Sequence, residues 1–300
     1  MKKVSLSTFS FQSEFGDIKA LELAKEAGAD AVDFNLDRQD YRNENSIYSK
    51  SENEIIEYYS KIKNKADELG IEICMTHGRG KGFVNDAEED AALIDNARLD
   101  CIATSVLGAS VCVIHAVTTI FMGPDAPSEL MHNLNFDMFC KILKLAKQYN
   151  VLIATETFGD AVCYDSCDFF GNIDEFIKSY NLVCSLDDNA KYFKICVDVG
   201  HSNKAMRYNN PKPADVIRML GSNVVCLHLH DNDTYTDQHK IPMTGTIDWK
   251  DVMSALDEIG YNGIYNLEIA LGCFGKSIMD KTAKYAVDVM RNILENGVGN

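Results

Sequence analysis

One phrase repeats along this chain of 300 residues: a helical pattern, a glycine or polar break, then a short run of apolar and β-branched residues. Residues 21–27 lead through Gly28-Ala29-Asp30 into 31–34, and Leu69-Gly70 leads into 71–75. Leu107-Gly108-Ala109 precedes 110–114, and Gln148-Tyr149-Asn150 precedes 151–155. Leu220-Gly221-Ser222-Asn223 precedes 224–229, and Ile259-Gly260-Tyr261-Asn262 precedes 263–267. With 4–8 and 193–197, the pattern predicts eight strands. Helices are predicted most clearly over 53–69, 87–107, 136–149, 250–259 and 276–295. In 250–259 the apolar Val252, Met253, Leu256 and Ile259 recur at helical spacing, the mark of one buried face. Strands alternating with helices at this interval imply parallel βαβ units. Eight such units predict an α/β chain folded as one closed (β/α)8 barrel, a fold of typically about 250 residues. An open doubly wound sheet fits less well, because no Gly-x-Gly-x-x-Gly follows the first strand. No linker-like stretch interrupts the pattern, so residues 1–300 read as a single domain.

The hydrophobic fraction of 46% supplies a sizeable core, and no segment has the composition of a disordered or low-complexity tract. Met1-Lys2-Lys3 runs directly into the first strand without a signal-peptide apolar stretch. No apolar run approaches the roughly 20 residues that span a bilayer. Of the ten cysteines, Cys74, Cys112, Cys196 and Cys226 fall inside strand-like runs, where a free thiol behaves as a small hydrophobe. Cys163 and Cys167 lack the second pair that a zinc knuckle needs. Reduced thiols and a cytoplasmic location are therefore expected. The formal net charge of −16 disfavours nucleic acid and anionic membranes as partners. It still permits a locally positive site, because bound metals bring their own charge.

The strand-like runs end in side chains suited to binding metal. His77 closes 71–76, His115 closes 111–114, Glu156 closes 151–155, and Asp198 and His201 follow 193–197. His228 ends 224–227, with His230 and then Asp237-Gln238-His239 beyond it, and Glu268 closes 264–267. In a (β/α)8 barrel this end of the strands is the catalytic face. Glu156, Asp198, His228 and Glu268 come from the fifth to eighth strands. Three carboxylates and one imidazole make a hard, mostly oxygen site that suits Mn²⁺, Mg²⁺ or Co²⁺, and Zn²⁺ less exclusively. His228 and His230 are two apart and point to one side; His228, nearer the strand body, is the expected ligand. His132 follows no strand and is expected to be structural or exposed.

Taken together, Glu156, Asp198-x-x-His201, His228-Leu229-His230-Asp231-Asn232, Asp237-Gln238-His239, Gly245-x-Ile247-Asp248-Trp249 and Asn266-Leu267-Glu268 resemble the xylose isomerase-like TIM-barrel superfamily. That group includes sugar and sugar-phosphate isomerases and epimerases, inosose-pathway enzymes and endonuclease IV-type abasic-site nucleases. The resemblance covers nearly the whole chain. It implies that Glu156, Asp198, His228 and Glu268 hold one divalent metal (Mn, Mg, Co or Zn), with no organic cofactor. It further implies that Glu156 and Glu268 move protons on opposite faces of a substrate carbon while His201 holds a substrate oxygen. The expected activity is a metal-dependent isomerase or epimerase that abstracts a proton next to a carbonyl, through an enediolate. The substrate is a small sugar or polyol, phosphorylated or not, with His77, His115, His201, His230, Asp237 and His239 around it. A homo-oligomer is compatible with this reading.

The same resemblance carries a rival. In the nuclease branch His77, His115, Glu156, Asp198, His201, His228, Asp237, His239 and Glu268 would match the zinc ligands of a trinuclear cluster. Against a DNA grip, 33–51 carries Asp33, Asp37, Asp40 and Glu44 beside only Arg38, Arg42 and Lys50. Arg79-Gly80-Lys81 could hold a phosphate or be a solvated turn. Ketohexose 3-epimerases place an arginine shortly after the seventh-strand histidine, where this chain has Thr234 and Tyr235. A relative that cleaves C-glycosides is a further alternative.

Overall fold

The computed structural model describes residues 2–299, so Met1 and Asn300 lie outside the described residues. Eight parallel strands form one sheet. They are β1 (Val4–Ser7), β2 (Ala31–Asn35), β3 (Glu72–His77), β4 (Val111–Ile114), β5 (Leu152–Glu156), β6 (Phe193–Asp198), β7 (Val224–His228) and β8 (Tyr265–Leu267). Each of β1 to β7 pairs with the strands next to it, and β1 also pairs with β8, Leu6 opposite Leu267. The ring is nearly closed. β7 and β8 meet at the isolated bridge Leu229–Leu267, where Leu229 N–H donates to Asn266 O at 2.8 Å and Glu268 N–H to Leu229 O at 3.1 Å. With helices between the strands, this is the (β/α)8 TIM barrel that the alternation predicts.

The strands are near-continuous apolar runs because both of their faces are covered. The two-residue pleat decides what each face does. Met75, Val113, Ala154, Cys196 and Cys226 form a small apolar cluster, and Ile114, Ile153 and Ile195, of opposite parity to the members in their own strands, belong to the larger core beneath the helices. Two positions beyond the first set stand His77, His115, Glu156, Asp198 and His228. The pleat that fills the barrel with small side chains therefore delivers the polar ones to a common point above them.

Local chemistry fixes where the helices begin. Ser51 and Glu54 form a capping box at the start of Glu52–Leu69, and Gly70 ends that helix in the left-handed region (φ 63°) just before β3. The Asp86 carboxylate accepts from the N–H groups of Glu88 and Glu89 to open Ala87–Leu107. The helix predicted over 136–149 begins earlier, at Ser128, and takes in His132. Its first turns bury Met131, His132 and Asn135, so they lack the apolar periodicity that would have shown them. His132 is buried there, with Nε2 2.6 Å from Glu175 Oε2, a structural pairing far from any strand end. Short helices Phe9–Phe15 and Val199–Ala205 follow β1 and β6, and a small antiparallel ribbon, Asp160–Ala161 with Ser166–Cys167, follows β5. No described helix is long and apolar enough to cross a membrane.

Candidate metal centre

Glu156, Asp198 and His228 are the last residues of β5, β6 and β7, and Glu268 follows β8 directly. One ligand atom from each lies within 4.8 Å of those of the others. His228 Nδ1 is 3.3 Å from Glu156 Oε1, 3.5 Å from Glu268 Oε2 and 3.9 Å from Asp198 Oδ2. Glu156, Asp198 and His228 are fully buried, whereas the Glu268 side chain keeps 20% of its surface open. Glu156 Oε2 and both ring nitrogens of His228 make no hydrogen bond. Buried polar atoms without partners are rare and costly. Here His228 Nδ1 faces the carboxylates of Glu156, Asp198 and Glu268, so the donor set fits a divalent cation by geometry and by charge.

Further ligands flank this group on two sides. His77 and His115 bring Nε2 to 3.4 and 3.2 Å from Glu156 Oε2. On the other side His201, His230, Asp237 and His239 form a second candidate group; Asp237 Oδ2 lies 3.4 Å from both His201 Nε2 and His239 Nε2. Three of these imidazoles share an arrangement. Nδ1 of His77 faces Gly78 O at 2.9 Å, that of His201 faces Thr157 O at 3.2 Å, and that of His239 faces Glu268 O at 2.8 Å. A carbonyl only accepts, so each Nδ1 donates, and Nε2 is left facing the carboxylates. Metal-binding histidines are commonly oriented in this way.

The backbone holds these side chains in place. Asp198 ends β6 and caps Val199–Ala205, its Oδ1 accepting from His201 N–H at 2.6 Å, which explains the spacing Asp198-x-x-His201. Gly200 has no room for a side chain, because a Cβ there would stand 1.9 Å from His230 Cε1. His230 is consequently buried against it, with Nε2 3.0 Å from Asp198 Oδ1 and its ring stacked 3.9 Å from that of His239. His239 occupies the left-handed region (φ 45°), sparsely used by residues other than glycine; its O accepts from Ala270 N–H at 3.0 Å. The loop after β7 is anchored by buried Asp231, which accepts from Trp249 Nε1–H at 2.8 Å and from Ile247 N–H at 3.2 Å. This accounts for Gly245-x-Ile247-Asp248-Trp249 in the sequence.

Charge alternates through the site. Burial would raise the Glu156 carboxyl, but His228, His115 and His201 hold it well below the usual carboxylate range. Asp198 is likewise lowered against burial by His201 and His230, and Glu268 by His228 and His239. Burial pushes the imidazoles down, yet Glu268 and Glu156 lift His228 well above its ordinary value. Glu156 raises His77 to about 9, and Asp237 and Glu268 raise His239 to about 9. The carboxylates are held in the ionised form, and His77, His228 and His239 beside them bind a proton more readily than a free histidine.

These groups line a pocket of about 500 Å³ at the C-terminal ends of the strands. His77, His115, Glu156, His201, Asp237, His239 and Glu268 form its walls, with Ser7, Phe9 and Asn35 opposite. Asp198, His228 and His230 are buried behind them, and His230, expected beside the substrate, pairs with Asp198. Among the described residues, no lysine or arginine lines the pocket. Arg79 pairs with Asp40 at 2.9 Å and Lys81 with Glu89 at 3.1 Å, so the Arg79-Gly80-Lys81 turn directs its cations to neighbouring acids. Two residues passed over in the sequence take part. Asp33, pointing into the barrel from β2 between Val32 and Phe34, brings Oδ2 to 3.7 Å from His228 Nε2, and burial raises its carboxyl to about 6. Lys204, buried, pairs with Asp160 at 2.8 Å and stands 4.0 Å from Asp237.

Comparison with known proteins agrees with this fold. An uncharacterized protein of Methanocaldococcus jannaschii is 26% identical over 203 residues, 66% of this chain; the match spans 62% of that curated relative's length. Among solved structures, a D-tagatose 3-epimerase-like protein superposes with a TM-score of 0.74 at 20% identity, over 98% of both chains. The IolI protein, solved with a zinc atom, superposes with a TM-score of 0.73 at 16% identity, over 99% of this chain and 98% of that one. The family described as the xylose isomerase-like TIM barrel matches residues 21–293, nearly the full barrel, and the chain belongs to that family.

Proposed function

We propose that the protein is a divalent-metal-dependent isomerase or epimerase of a sugar or polyol, working by proton transfer next to a carbonyl. One observation carries this reading: Glu156 and Glu268, three strands apart, share a ligand group with Asp198 and His228, and both also form walls of the pocket. When bound there, a divalent cation would polarise a carbonyl and its neighbouring hydroxyl and acidify the C–H between them. Glu268, ionised and partly open to the pocket, is placed to take that proton. Glu156, which also lines the pocket, would deliver one to the opposite face. His201, tied through Nδ1 to Thr157 O, is placed to hold a substrate oxygen through Nε2. A pocket without lysine or arginine favours an uncharged ring over a sugar phosphate. The epimerase-like and zinc-bearing neighbours support the same reading.

The test is turnover of a panel of keto sugars and inososes in D₂O by protein reconstituted with Mn²⁺, Co²⁺ or Zn²⁺. Deuterium should enter the carbon next to the carbonyl. Glu268→Gln should lose at least about 10²-fold in rate, the usual contribution of a general base, while sugar binding persists. Turnover without solvent deuterium would indicate a hydride shift and overturn the mechanism.

A second reading, a zinc phosphodiesterase or abasic-site nuclease, rests on the flanking groups His77–His115–Glu156 and His201–His230–Asp237–His239. Metal analysis separates the two: near one metal per chain supports the isomerase, and near three zinc ions with cleavage of abasic DNA supports the nuclease. The pairing of Arg79 and Lys81 with acids favours the isomerase.

A further inference from the structure

Beside the metal pocket lies a second cavity of about 570 Å³, and the two share a wall made of His239, Ile269, Ala270 and Cys273. Their chemistry differs. The first is lined by carboxylates, imidazoles and hydroxyls; the second is an apolar groove between the loop after β7 and the C-terminal helix Met279–Asn296. Its apolar lining includes Ile241, Phe274, Ile278 and Tyr285. Phe274 stays 62% exposed and Tyr285 58%, large apolar side chains left in water at the edge of a polar site. Grouped exposure of this kind marks a surface that is covered in use. Lys240 and Lys281 also line the groove, and among the described residues no acidic side chain lies within ion-pair distance of either. In a chain of net charge −16, that leaves one edge of the groove locally cationic.

We propose that this groove is an aglycone subsite: it takes an aromatic substituent, with an acidic or phenolic outer edge, carried by the sugar whose ring faces Glu156 and Glu268. The inference rests on the sugar reading above and narrows it. The shared wall lets one ligand occupy both cavities, and together they exceed what a free monosaccharide needs. The metal pocket supplies polar partners for hydroxyls, the groove supplies flat apolar walls, and the two lysines meet the acidic edge. A substrate of this shape is a glycoside that carries its carbonyl on the sugar ring, and not a free ketohexose.

Titration calorimetry on the zinc-loaded protein tests this. Methyl, 4-nitrophenyl and 4-carboxyphenyl β-glycosides of glucose, galactose and xylose, which lack a ring carbonyl and so bind without turnover, serve as probes. For the sugar that binds, the aryl forms should bind at least about tenfold tighter than the methyl form, from burial of one ring. The 4-carboxyphenyl form should be the tightest. In Phe274→Ser and Tyr285→Ser, checked for unchanged metal content and circular dichroism, the aryl-over-methyl preference should fall toward unity. Equal affinity for methyl and aryl forms would overturn the subsite and leave the sugar reading standing. If no glycoside and no free ketose binds the metal-loaded protein, the sugar reading fails and the subsite fails with it. Sedimentation gives the other contrary outcome: a dimer that Tyr285→Ser dissociates would make the groove an interface between copies, overturning the proposal.

Discussion

Asp33 and Asp100 are two buried acids whose environments push them in the same direction for different ends. Asp33 lies beneath His228, on the side away from the carboxylates, and nothing in the run 31–34 marks it as more than a polar residue in a strand. The plain alternation of β2 aims it inward, between Val32 and Phe34 of the outer core, but the run itself does not show that His228 of a distant strand stands over it. Asp100 lies in the helix Ala87–Leu107, where Oδ1 accepts from Tyr48 O–H at 2.7 Å and Oδ2 has no partner. Burial raises its carboxyl to about 7. A carboxyl whose pKa rises on folding binds its proton more tightly in the native state. Its contribution is therefore fully present below the unfolded value of about 4 and is lost as pH climbs towards 7. Asp100→Asn keeps the shape and the acceptor for Tyr48 but removes this titration. Across about pH 4 to 7, the melting temperature of the parent should decline relative to that of the variant. Parallel curves would show that Asp100 keeps an ordinary pKa.

Among elements, the strands were the legible part. Short β-branched runs after glycine breaks have few other uses, and the pleat carries parity from Met75, Val113, Ala154 and Cys226 to the polar residue two positions on. The side chains at the strand ends were accordingly readable as one constellation. The loops were less so, because their geometry depends on contacts between distant segments. His230 looks like a pocket residue by parity, yet its place is set by the absence of a side chain at Gly200, thirty positions away. The left-handed turn at His239 and the early start of Ser128–Tyr149 are likewise tertiary decisions. Gly200→Ala tests the first of these. The added methyl must displace the His230 ring and with it the partner of Asp198. The expected result is a loss of metal affinity of about 10- to 100-fold, the usual effect of disturbing a ligand's support, with native circular dichroism retained. Affinity equal to the parent's would mean that His230 does not position Asp198.

On the scale of the whole molecule, the barrel is a hoop with one weak joint. Most neighbouring strands are laced along a run of paired residues, but β7 and β8 are joined at Leu229–Leu267 alone. His228 stands on one side of that joint and Glu268 on the other, with Nδ1 and Oε2 3.5 Å apart. An ion gripped by both would act as a rivet through the two ends of the hoop. Local openings give the fastest native-state exchange, and a ligand that binds only the closed form suppresses them. The amides of Leu229 and Glu268 should therefore exchange faster than those in the middle of β4 and β5 in metal-free protein. They should slow by at least about tenfold when Zn²⁺ or Mn²⁺ is added, while β4 and β5 change little. If metal binds and these amides keep their rate, the joint is held by something else. With such a rivet in place, loading the site and finishing the barrel would be one event, and loss of the ion would undo the roundness first.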